Sequence, residues 1–170
     1  YVCGSRDIVE FLHFFATGTM FSAPLSVPNC IAAYKTLRLI DEHPEWIQET
    51  RSNMDLLTEQ LKPLEAKYHI QAQTQPGSPL VAFILRDFPA VRVFAIARYL
   101  ADHGFYVAAV NPPACPLREP RLRLTAPRGI TRQQITAFAS TLDQAMAATA
   151  GLKSPVDLDE FTALADLLGL

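Results

Sequence analysis

Several features that would narrow the chemistry quickly are missing from this 170-residue sequence. Cysteine is scarce. Cys3, Cys30 and Cys115 are odd in number and lack metal-ligand spacing, so neither a disulfide framework nor a zinc module is indicated, and reduced thiols in a cytoplasmic protein are the expectation. His13, His43, His69 and His103 fit no metal motif, and structural roles are expected for them. No apolar run approaches the ~18–20 residues of a membrane-crossing helix, and these residues carry no signal-peptide pattern. Charge of one sign is not in excess: a formal net charge of −2 gives no field that would gather nucleic acid or a membrane surface. No glycine-rich loop ends in Gly-Lys-Ser/Thr, which excludes P-loop phosphate chemistry. There is no internal repeat and no low-complexity tract. No pair of carboxylates asks for acid–base work, and no nucleophile–base set can be proposed from residue order alone.

What remains is ordinary globular material, 49% hydrophobic and 19% charged, in a chain long enough for a core. The opening YVCGSRD has no initiator Met and reads as the middle of something longer. Residues 7–16 place Ile8, Leu12 and Phe15 on one helical stripe, with Asp7 as candidate N-cap. Gly18, Pro24 and Pro28 break the next stretch. A second helix is expected from about residue 28 to 41. A long third one follows Pro44 and runs to about residue 68, interrupted or kinked at Pro63. Residues 80–85, 105–110 and 121–125 read as strands, with a helix over 90–104 that ends at Gly104. A proline-rich loop spans 111–120. A further helix follows Thr131 as N-cap, and a last short one ends the chain. The fold class expected is therefore α+β, with a small mixed or antiparallel sheet of about three strands covered by helices on one face.

Two stretches carry candidate chemistry. In Arg121-Leu122-Arg123-Leu124 the period of two puts the leucines on a buried face and both guanidinium groups on the other. Arginine's planar fork of donors matches a carboxylate or phosphate; the plain alternative is a solvated strand face. In TGTMFSAP, three hydroxyls (Thr17, Thr19 and Ser22) surround one glycine. That could cradle an anion, or simply cap a turn. On residues alone, the reading stops at an α+β domain with one strand able to hold an anion.

Four stretches, in order and at matching spacing, add a resemblance. YVCGSRDIVEFL, MFSAPLSVPNCIAA, ADHGFYVAAVNPPACP and RLRLTAPRGITRQQI resemble the C-terminal part of the α-oxoamine synthases. These are fold-type-I enzymes dependent on pyridoxal 5'-phosphate (PLP), and they include 8-amino-7-oxononanoate synthase and serine palmitoyltransferase. The resemblance implies part of an α/β PLP-transferase. Residues 1–27 would end its large cofactor domain and form an interface loop. Residues 28–70 would be interdomain helices, 71–150 the small C-terminal α+β domain, and 151–170 an added helix or linker. It implies a homodimeric cytoplasmic acyltransferase that condenses an amino acid with an acyl thioester on coenzyme A or acyl carrier protein and loses carbon dioxide; from charge and hydropathy, no nucleic-acid partner and no membrane span are expected. Arg123 would bind the substrate carboxylate, with Arg121 a solvated or supporting neighbour. Ser22, with Thr19 as second choice, would reach the cofactor phosphate across the dimer. The chain departs from the family where Ala23 and Pro24 replace a hydroxyl, and where Ile130 precedes Thr131 in place of histidine. The Schiff-base lysine is expected upstream of Tyr1, so no catalytic residue is assigned within this segment. Two other readings are a lysine-less partner subunit and a fold-type-I aminotransferase.

Overall fold

A computed structural model describes residues 3–20 and 25–153, and the chain divides into two units, Tyr1–Pro44 and Glu45–Leu170. In the first unit, α1 (Arg6–Phe15) is followed by the single turn α2 (Thr17–Met20) and then by α3 (Val27–Glu42). Helix α1 is entered from Ser5, not from Asp7. Asp7 lies inside the first turn, where a negative charge favours the helix dipole. Pro28 occupies the start of α3, where its missing N–H has no helical partner to lose. Neither α1 nor α3 contains a buried residue, and Phe15 and Val27 are 69% and 70% exposed. The expected stripe of Ile8, Leu12 and Phe15 is thus helical but uncovered.

The second unit runs α4 (Glu45–Tyr68), β1 (Gln71–Gln73), β2 (Val81–Ile84), α5 (Ala90–Asp102), β3 (Ala108–Val110), β4 (Arg121–Leu124) and α6 (Arg132–Ala148). Its four strands stand in the order β1-β2-β4-β3, and every pair is antiparallel. Strand β1, Gln-Ala-Gln, is an addition to the three expected from sequence; its two glutamines give no apolar alternation to read. Helix α4 continues through Pro63 rather than stopping there. The ring removes one backbone hydrogen bond, but Leu61 and Leu64 on either side are buried in the core and hold both halves in place. Gly104 closes α5 with φ +86, a conformation that favours glycine.

Alternation sorts the sheet into two faces. Val81, Phe83, Leu122 and Leu124 point into a core shared with Leu57 and Leu61 of α4, Val93 and Ile96 of α5, and Ile135 and Leu142 of α6. Burial of these side chains is the main stabilising term of the unit. Thr131 caps α6 as expected. Its Oγ1 accepts from the Gln134 N–H at 3.2 Å while Gln134 Oε1 accepts from the Thr131 N–H at 2.8 Å. The final helix expected near the C-terminus lies outside the described residues.

One polar cluster ties α4 to α6. Lys67 Nζ donates to both carboxylate oxygens of Asp143, at 2.6 and 2.8 Å, and the Tyr68 hydroxyl donates to Oδ1 at 2.6 Å. The Lys67 ammonium, with help from Tyr68, holds the Asp143 carboxyl below its ordinary range. A carboxyl depressed in this way stabilises the fold above its unfolded pKa and ceases to do so as pH falls through the lower folded value. The urea midpoint is therefore expected to fall as the protein is taken below about pH 5, and Asp143→Asn should flatten part of that dependence. The effect is small because solvent screens both side chains. Identical pH profiles for wild type and variant would contradict it.

Candidate functional site

The two arginines of β4 share a face of the sheet but not a fate. Arg121 pairs across the sheet with Ile84 of β2 and Val110 of β3. Its Nε donates to the Glu119 carbonyl at 3.1 Å, and its Nη2 lies 3.4 Å from the Glu119 carboxylate, which also binds Arg86 at 2.8 Å. Glu119 stands two residues before Arg121, and this local pairing already spends that guanidinium. Arg123 instead pairs with Ala82 and Ala108, whose single methyl groups leave room on both sides. Its side chain is exposed and makes no hydrogen bond or ion pair among the described residues.

Arg123 opens onto a cleft of about 770 Å³ at the end of the sheet, of a size suited to a small organic ligand. Leu57 of α4, Ile135 and Phe138 of α6, and Phe105 and Tyr106 before β3 make its walls largely apolar. Phe105 and Phe138 meet edge to face with centroids 5.5 Å apart. Among the described residues, Arg123 is the one charged side chain that lines the cleft. An exposed guanidinium at the edge of an apolar cleft, with no anion bound to it among the described residues, can receive one carboxylate or phosphate through its planar fork.

The connection from β4 to α6 forms another wall through Ala126, Pro127 and Ile130. It is fastened to α4. Asn53 Nδ2 donates to the carbonyls of Pro127 and Ile130, both at 3.2 Å. The Ala126 N–H points to Met54 Sδ at 3.1 Å. Arg128 binds Glu49 at 2.9 Å and lies 4.3 Å from the Trp46 ring centroid. The Asn53 bridge was not anticipated from sequence. Asn53 lies 74 residues from Pro127 along the chain, and one polar residue on a helix face announces nothing.

Ser22 lies outside the described residues, and Thr19 falls on α2 with its side chain also outside them. Lys67 is bound to Asp143, and Lys62 lines a separate pocket between α4 and the β1–β2 turn. Among the described residues no cluster of His, Cys, Asp and Glu could hold a metal ion, and no helix is long and apolar enough to cross a membrane.

No family model matches the sequence. The chain is 31% identical over 142 residues to the 8-amino-7-oxononanoate synthase of Maricaulis maris, a match covering 84% of this chain and 33% of that protein. It is 27% identical over 135 residues to the serine palmitoyltransferase of Sphingobacterium spiritivorum, covering 79% and 32%. A serine palmitoyltransferase variant from S. paucimobilis, solved with a bound PLP–myriocin aldimine, superposes with a TM-score of 0.68 at 24% identity. That superposition covers 84% of this chain and 35% of the other. The 8-amino-7-oxononanoate synthase of Francisella tularensis superposes at 0.63 and 18% identity, covering 86% and 41%. At these identities the superpositions speak for the fold. The chain spans about a third of the length of the curated relatives it matches.

Proposed function

We propose, from the premise that this chain belongs with the PLP-dependent α-oxoamine synthases and looks like their C-terminal part, that it supplies the substrate-carboxylate anchor of such an enzyme. The parent protein would join an amino acid to an acyl thioester, on coenzyme A or acyl carrier protein, with loss of carbon dioxide and release of free thiol. The observation that carries the reading is Arg123, which among the described residues is unpaired and is the single charged residue on the cleft wall.

The residues present fit the substrate end of such a site. Arg123 offers a forked donor with no competing anion among the described residues, held on a strand whose other face is locked in the core. Bound there, a carboxylate is fixed in orientation, and with it the other substituents of the amino-acid α-carbon. The apolar walls lower the local dielectric beside the guanidinium and so strengthen the ion pair. PLP would serve as the electron sink for the bond broken at that carbon. Its covalent lysine is expected upstream of Tyr1, with Ser22 and Thr19 as candidates for its phosphate. In this reading 1–27 belongs to the large cofactor domain and interface loop, 28–70 to interdomain helices, 71–150 to the small domain and 151–170 to a further helix or linker. The uncovered apolar faces of α1 and α3 favour a larger assembly, here a cytoplasmic homodimer.

The test is the product balance of the intact protein. Glycine, L-alanine or L-serine with a CoA thioester should yield carbon dioxide and free thiol in equal amounts. Keto-acid formation without thioester consumption would point to an aminotransferase. Absence of both, together with a residue other than lysine at the upstream position, would point to an inactive partner subunit.

A further inference from the structure

The β4–α6 connection is an exposed loop, with Gly129 at φ +95, and such loops have no ladder of their own to hold them. It nevertheless forms a wall of the cleft beside Arg123. Three α4 residues on one helical stripe, Trp46, Glu49 and Asn53, hold it from one side. Trp46 and Glu49 hold the Arg128 side chain at the loop tip, where both partners of the ion pair are about half exposed and screened. Asn53 grips the backbone. A single carboxamide nitrogen bridges the carbonyls of Pro127 and Ile130 and so fixes the distance between the loop's two ends.

We propose that Asn53 is a positioning residue for ligand binding at Arg123. By bridging residues 127 and 130 it sets how closely the loop wall stands to the guanidinium, and hence how dry the ion pair with a bound carboxylate is. The inference rests on the reading of Arg123 as the carboxylate anchor. Half-buried Asn53 does not line the cleft, so its influence runs through the loop alone. Asn53→Asp keeps the shape but replaces the donor with an oxygen that faces two carbonyl oxygens. Asn53→Ala removes the bridge on a helix that tolerates alanine well.

The experiment uses the intact protein loaded with PLP, with hydrogen exchange followed over 125–131 and over 132–148. Glycine, L-alanine and L-serine are titrated against the cofactor absorption band, and a CoA thioester is titrated in parallel. In both Asn53 variants the loop amides should exchange about tenfold faster while α6 stays protected, as expected for loss of roughly one hydrogen bond's worth of local stability. Amino-acid affinity should fall about tenfold with thioester affinity unchanged. Arg128→Ala, which loosens the exposed tip without touching the buried side, should shift both readouts in the same direction by less. Faster loop exchange with unchanged amino-acid affinity overturns this inference alone. So does unchanged exchange in both Asn53 variants. Unchanged affinity on Arg123→Ala overturns the reading beneath it.

Discussion

Arg123→Ala in the intact protein is expected to weaken binding of the amino-acid substrate roughly tenfold to a hundredfold, the equivalent of ~1.5–3 kcal/mol for a charged hydrogen-bonding partner. The direction follows from what the guanidinium does without a ligand. It is unpaired among the described residues, so its removal breaks nothing inside the fold, and the whole effect should appear in binding. Stability should hardly change. Arg123→Lys should recover part of the affinity, because the charge returns without the planar fork that meets both carboxylate oxygens. Arg121→Ala is the matched control. That side chain is engaged with Glu119, so its loss should disturb the β4 entry while leaving amino-acid affinity near wild type. Titration of the cofactor band with the amino acid separates these outcomes. Equal affinity in wild type and Arg123→Ala would remove the anchor.

The contrast between the two arginines also marks how far sequence reading reached. The period-two pattern of β4 was enough to put Leu122 and Leu124 in the core and both arginines on the other face, because one face of a strand must be buried. Which arginine stays free was not in the pattern; the family resemblance singled out Arg123. The structure gives a physical reason: Glu119 reaches Arg121, and small Ala82 and Ala108 flank Arg123. The flanking alanines come from strands far apart in the chain and cannot be matched to Arg123 before the register is known. Helices α4, α5 and α6 were legible because their apolar residues recur at helical spacing over many turns. Strand β1 was not, since three residues with polar ends carry no period. The Asn53 bridge was hidden for the same reason as the alanines, being a contact across 74 and 77 residues.

Phe83→Ala is expected to cost about 3–5 kcal/mol of folding stability, a large part of what a domain of this size possesses. Phe83 is fully buried and sits in β2 between Ala72 of β1 and Leu122 of β4, on the face that meets the helices. Neither the small neighbour on β1 nor the packed leucine on β4 can move in to fill the space a benzyl group leaves, so the cavity penalty adds to the lost burial. The urea midpoint should fall with the slope unchanged, since the folded and unfolded states expose the same surface as before. The consequence for function differs in kind from that of Arg123→Ala. Molecules of Phe83→Ala that remain folded keep β4 and its register, so they should bind the amino acid with near-normal affinity while fewer of them are available. Arg123→Ala should instead leave the folded population intact and spoil the affinity of every molecule. A Phe83→Ala protein that unfolds at the wild-type midpoint would mean that the sheet is not packed on the helices as described. One that stays folded but binds the amino acid no better than Arg123→Ala would mean that the cleft depends on the core beneath the strand as much as on the guanidinium above it.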